Sequence, residues 1–122
     1  MAVCRRRALA TVFLAAPNSS PDRLRRIATA SRGFVYCVST FGVTGARGSL
    51  AGPARAVVEA VRAFTEAPLL VGVGITTPEQ AADAARFADG VVGTALVRPL
   101  LEGDVEEALR LARDFRESLS GA

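Results

Sequence analysis

Leu69-Leu70-Val71-Gly72-Val73-Gly74-Ile75-Thr76-Thr77-Pro78-Glu79-Gln80 contains the change of period that decides the fold. Residues 69–73 are a continuous apolar run of strand length, closed by glycine. Thr77-Pro78-Glu79-Gln80 then reads as a capping box. The Thr hydroxyl and the Gln side chain can satisfy two orphan N–H groups reciprocally, and proline has its φ preset for the first helical turn. Ala81, Ala82, Ala84 and Ala85 give the following helix a small face suited to close packing on a sheet. Strand, glycine turn and capped helix make one β-α unit.

The same unit repeats on both sides. Upstream, residues 34–39 read as a strand, 40–52 as a Gly-rich loop, and a helix from Pro53 places Val57, Val58, Val61 and Phe64 on one face. Before these, residues 11–16 read as a strand. Ser20 can cap the next helix with Pro21 at its first position, burying Leu24, Ile27 and Ala28, and the helix should end near Gly33. Downstream, residues 90–92 form the fourth strand and a short helical turn follows Gly93-Thr94. Asp104-Val105-Glu106-Glu107 caps a last helix whose expected buried stripe is Val105, Ala108, Leu109, Ala112 and Leu119. Near-continuous apolar strands, each followed by a helix, predict an α/β fold with a parallel sheet. Residues 11–122 make one domain and residues 1–10 an N-terminal arm. Arg5-Arg6-Arg7 and the apolar residues after it imitate a short secretory signal, but a buried strand entering the turn Pro17-Asn18-Ser19-Ser20 fits the repeating pattern better.

Composition removes several kinds of chemistry. The 122 residues are 50% hydrophobic and 22% charged, as in globular chains, and no apolar run reaches the roughly 18 residues needed to span a bilayer. There is no His, and every one of the fifteen basic residues is Arg. Imidazole acid–base chemistry, a His-bound metal and a Lys Schiff base are therefore excluded from this chain. The net charge of +3 is spread along the sequence apart from Arg5 to Arg7, and the six Phe and one Tyr sit mostly in apolar runs. A nucleic-acid surface, which interleaves a basic stripe with exposed aromatics, is not expected. Cys4 and Cys37 lack metal-ligand spacing, and Cys37 falls in an apolar run where a buried, reduced thiol is expected, which implies a cytoplasmic setting.

In parallel α/β folds the loops after the C-terminal strand ends carry the site. Here those are residues 17–20, 40–48, 74–76 and 93–94. Apart from Arg47 they hold neutral residues, and none is a carboxylate. Glu59, Glu66, Glu79, Asp83 and Glu106 are expected on helices, and Asp89 on the opposite face, ahead of the fourth strand. No paired acid and base can be assembled from the strand ends. Gly45, Gly74 and Gly93 instead let a ligand approach main-chain N–H groups, and the helical turn after Thr94 points its N-terminus at the same place. Convergence of the third and fourth strand ends matches the phosphate site of barrels after strands 7 and 8.

Gly33-Phe34-Val35-Tyr36-Cys37-Val38-Ser39-Thr40-Phe41-Gly42-Val43-Thr44-Gly45-Ala46 strongly resembles the sixth strand and mobile loop of the tryptophan synthase alpha chain family, and the Gly-Val-Thr-Gly-Ala core is specific to it. The similarity continues through residues 71–80, Ala88-Asp89-Gly90 and Gly93-Thr94-Ala95-Leu96-Val97. The resemblance implies strands five to eight, the C-terminal half, of a (β/α)8 TIM barrel. It implies retro-aldol cleavage of indole-3-glycerol phosphate to indole and glyceraldehyde 3-phosphate, and a beta subunit that uses pyridoxal phosphate. The resemblance assigns no cofactor or metal to this chain itself. By resemblance Tyr36 contacts substrate, Thr44 belongs to the closing loop, Val73 stands where a Phe packs near the indole, and Gly45, Gly74, Gly93 and Thr94 grip the phosphate. The family's catalytic Glu and Asp lie at early strands, outside this sequence, so a truncated alpha chain without catalytic residues is expected. A second reading is a noncatalytic module that docks on a beta subunit or self-associates through open sheet edges. A half-barrel enzyme of another phosphate-substrate family is a third, disfavoured by the missing acids. The fourth strand is one residue shorter than the family's Gly-x-x-x-Gly-Ser, which predicts a bulge or a local inversion of its faces.

Overall fold

A computed structural model describes residues 2–38, 51–72 and 74–121. Their elements run α1 (Ala2–Arg6), β1 (Leu14–Ala15), α2 (Pro21–Ala30), β2 (Val35–Val38), α3 (Ala51–Arg62), β3 (Leu69–Gly72), α4 (Pro78–Ala85) and β4 (Gly90–Val92). A 3-10 turn (Thr94–Leu96), α5 (Val97–Leu101) and α6 (Val105–Ser120) complete the chain. The strands form one parallel sheet in the order β1-β2-β3-β4.

Caps fix the helix starts. The Ser20 hydroxyl accepts from the Arg23 N–H, and Asp104 Oδ1 accepts from the Glu107 N–H at 2.9 Å. At α4 the full capping box forms: Thr77 accepts from the Gln80 N–H, while Gln80 Oε1 accepts from the Thr77 N–H and from the Thr76 N–H at 2.7 Å. Each cap satisfies donors that the first turn leaves unpaired. Helix α3 starts at Ala51, two residues before the expected Pro53, which is tolerated because proline in a first turn gives up no intrahelical bond.

The strand register sorts side chains onto two faces. Ala15, Cys37, Val71 and Val91 share one row, and the first three are fully buried beneath the helices. Leu14, Tyr36, Leu70 and Gly90 form the adjacent row on the other face, where Leu14 is 59% exposed. The core therefore lies between sheet and helices: Val35, Leu69 and Val71 from the sheet meet Leu24, Val58, Val61, Ala81 and Phe115. The opposite face, with Leu14, Tyr36, Leu70 and Gly90, corresponds to the inner face of a half barrel.

Several expectations need correction. The first strand covers only Leu14–Ala15 rather than residues 11–16. Just before it, Thr11 O accepts from the Arg32 N–H and the Phe13 N–H donates to Ser31 Oγ, so flanking turns take up groups that a longer ladder would have used. Phe64, expected on the buried face of α3, is 39% exposed, and Glu66 follows α3 rather than belonging to a helix. On α6, Ala108 and Leu119 point inward as expected, but with Leu111 and Phe115. Val105 and Leu109 are 56% and 54% exposed, and Ala112 is exposed too. The short fourth strand neither bulges nor inverts: Leu70↔Gly90, Val71↔Val91 and Gly72↔Val92 pair in unbroken register.

Candidate functional site

The C-terminal ends of β3 and β4 meet at a cleft walled by α5 and α6. Gly74 follows β3 with φ +82°, a left-handed conformation that glycine adopts without the steric cost of a Cβ. The chain then reaches Thr76, whose N–H and hydroxyl both donate to Gln80 Oε1, at 2.7 and 3.1 Å. The α4 cap thus also fixes the loop after β3. Across from it, Gly93 opens the 3-10 turn with φ −109° and no side-chain cap, in contrast to the starts of α2, α4 and α6. Thr76 and Thr94 line one cleft of about 590 Å³ with Arg98, Glu102, Glu107 and Leu111.

Tyr36 belongs to the inner face. Its ring lies over Gly72 of the next strand: a Cβ at position 72 would come 2.7 Å from Tyr36 Cε2 and closer still to the hydroxyl end. Only glycine leaves room for the phenol there. Gly93 differs, because a Cβ there would point toward Phe115 at an ordinary 3.5 Å, so neither its backbone angle nor packing demands glycine. Thr44, Gly45 and Val73 lie outside the described residues.

Sequence reasoning passed over Arg98, Glu102 and Glu107. Arg98 lies on α5, Glu102 at its C-cap and Glu107 on α6, rather than at strand ends, and a search confined to strand ends misses them. Arg98 is an exposed guanidinium on the wall that carries Thr94. Glu107 is engaged by Arg110, with a guanidinium Nη2 to Oε2 distance of 2.6 Å, and this contact raises the pKa of Arg110. Asp89 stands at the opposite end of the sheet, as expected. Its Oδ2 accepts from the Leu69 N–H and from Arg62, each at 2.8 Å. These bonds, the backbone one foremost, hold its carboxyl below the usual aspartate range. Asp89 therefore ties β3 to the segment before β4, away from the cleft. Burial pushes the Cys37 thiol up to about 11, against a smaller opposing effect of Arg62. Among the described residues no three His, Cys, Asp or Glu groups gather as a metal site.

Four parallel strands in sequential order, helices on one face and converging glycine-containing loops at the C-terminal ends define half of a (β/α)8 barrel. The chain belongs to the tryptophan synthase alpha chain family, whose model matches residues 1–119. It is 48% identical over 116 residues to the tryptophan synthase alpha chain of Gloeobacter violaceus, covering 93% of this chain and 42% of that one. Against the Mycobacterium ulcerans alpha chain it is 50% identical over 93 residues, covering 75% of this chain and 35% of the relative. Among solved structures it is similar to a protein of Aquifex aeolicus, with TM-score 0.82, 31% identity and 97% of this chain matched to 44% of that one. It is likewise similar to tryptophan synthase of Mycobacterium tuberculosis in an aminoacrylate-bound form, with TM-score 0.79, 35% identity and 97% matched to 43%. The chain thus spans less than half the length of these relatives. No helix among the described residues is long and apolar enough to cross a membrane.

Proposed function

We propose that this chain supplies the phosphate-binding side of a tryptophan synthase alpha-type site, within a cytoplasmic pathway of tryptophan synthesis, and takes no catalytic step by itself. The family reaction is the retro-aldol cleavage of indole-3-glycerol phosphate. The observation that carries the reading is the uncapped helical start at Gly93-Thr94, which shares one cleft wall with Arg98 and faces Thr76. Free N–H groups at a helix start favour an anion, and a nearby guanidinium adds charge-assisted donors. Gly74 and Gly93 contribute backbone and Thr94 a hydroxyl, and the family resemblance adds Gly45 to the grip and Thr44 to the closing loop. Tyr36, on the inner face, belongs against the indole and glycerol portions, and the family resemblance gives Val73 a part in the indole contact.

Catalysis needs positioned acid and base groups, commonly worth about 10²–10⁴-fold, and the strand ends carry none. A phosphate grip stabilises substrate and transition state alike, so it strengthens binding without speeding the chemistry. The family's Glu and Asp belong to β-α units outside these residues. A tryptophan synthase beta subunit is the expected protein partner, since it receives the indole. Calorimetric titration with indole-3-glycerol phosphate tests the reading: weak saturable binding that Thr94→Val and Arg98→Ala each weaken supports it. Absence of binding in the unmodified chain favours a noncatalytic docking module instead.

A further inference from the structure

We propose that Thr76 makes the cleft between the β3 and β4 loops selective for an anion that carries a hydroxyl, such as a protonated phosphate group, over one that only accepts, such as sulfate. Gln80 acts through Thr76 as a positioning residue. The proposal deepens the phosphate reading and rests on it. Its basis is the direction of one hydrogen bond. Gln80 Oε1 faces three donors: the Thr76 N–H at 2.7 Å, the Thr76 hydroxyl at 3.1 Å and the Thr77 N–H at 3.3 Å. The two backbone N–H groups fix the orientation of the amide, because only its oxygen can accept from them. That oxygen carries no hydrogen, so the one lying between it and Thr76 Oγ1 must come from the hydroxyl. The hydroxyl proton is thereby committed, and what Thr76 keeps is acceptor capacity.

The rest of the cleft mixes donors and acceptors in the same way. Thr76 is exposed and lines the space of about 590 Å³ with Thr94, Arg98, Glu102 and Glu107. The Arg98 guanidinium only donates, whereas the Glu102 and Glu107 carboxylates only accept. Glu107 also takes hydrogen bonds from Arg110, which does not turn it into a donor. An anion entering here needs oxygens that accept from Arg98 and one that donates to the acceptors. A phosphate group with one proton has both. A sulfate has acceptors alone and sets a lone pair against Thr76 Oγ1, so it loses a hydrogen bond there instead of gaining one. Coulomb attraction to Arg98 works in the opposite sense, because it favours the doubly charged sulfate. A preference for phosphate therefore reads the acceptors and not the charge.

Titration of the full chain with inorganic phosphate and with sulfate tests this, at equal ionic strength and about pH 6, where a phosphate group still holds a proton. The amide signals of Thr76 and Thr94 in nuclear magnetic resonance report binding at this cleft rather than at other arginines. Phosphate should bind roughly tenfold more tightly than sulfate, on the scale of one unmatched hydrogen bond. Thr76→Val has nearly the same shape without the hydroxyl, and should bring the ratio of affinities toward one. Gln80→Met frees the Thr76 hydroxyl to donate, so sulfate should gain on phosphate. Gln80→Glu keeps the acceptor and should restore the phosphate preference, while its charge weakens both anions. A merely structural role for Gln80 moves stability and both affinities together and leaves their ratio unchanged. Sulfate binding as tightly as phosphate, or a ratio unmoved by Thr76→Val, overturns the selectivity and leaves the phosphate reading standing. Binding of neither anion overturns both.

Discussion

The ring of Tyr36 occupies the space that a side chain on Gly72 would fill, across the β2–β3 pair on the inner face of the sheet. The two positions are therefore coupled: the phenol has its place because its neighbour lacks a Cβ. Gly72→Val should expel the ring or strain the strand pair, at a cost of about 1–3 kcal/mol for overpacking. Urea denaturation should show the loss, and the double variant Tyr36→Ala with Gly72→Val should recover part of it. Equal losses in the single and double variants would mean that the two residues do not share this space.

Asp89 gives the chain a specific acid sensitivity. Its folded pKa lies below the ordinary 3.8, chiefly through the bond from the Leu69 N–H. A depressed carboxylate contributes stability that is complete above the unfolded pKa and is lost as the pH falls through the folded one. The Arg62 pair is 40% and 44% exposed and adds little, so most of the effect belongs to the backbone bond. Asp89→Ala should cost about 1–3 kcal/mol at neutral pH, because it leaves the N–H of a fully buried residue unpaired. The gap between variant and unmodified chain should shrink below the ordinary aspartate range. A gap constant from pH 7 to pH 3 would show that the carboxylate charge plays no part.

The two cysteines should separate in a thiol-labelling experiment. Cys37 is fully buried and its thiol is pushed up to about 11, whereas Cys4 is half-buried on the first helix. The thiolate is the reactive form. A disulfide reagent at pH 8 should modify one thiol promptly and the second only as fast as the chain opens. Cys4→Ser should abolish the prompt phase. Prompt modification that survives in Cys4→Ser would place Cys37 outside the core.

The β-α alternation was legible because each strand is a short apolar run and each of α2, α4 and α6 opens on a residue whose side chain does cap it: Ser20, Thr77 and Asp104. Buried Cys37 and the remote position of Asp89 were legible for the same reason, since period and strand direction fix them. The face of α6 was not. Val105-Leu109-Ala112 and Ala108-Leu111-Phe115-Leu119 are both apolar at helical spacing and lie side by side on the helix, so periodicity cannot tell which one meets this sheet. Arg98 is not legible in the sequence, because its cleft position depends on how the 3-10 turn leads into α5. Gly93 is a glycine at a strand end, yet its backbone angle is one that other residues adopt freely.

The proposed division, in which these residues bind and the earlier β-α units catalyse, is read out by indole release from indole-3-glycerol phosphate. The purified chain alone should release none above background, and the chain mixed with a fragment holding the first four β-α units of a related alpha chain should release some. Indole formed by the chain alone, and lost on Tyr36→Phe, would place the catalytic groups within these residues.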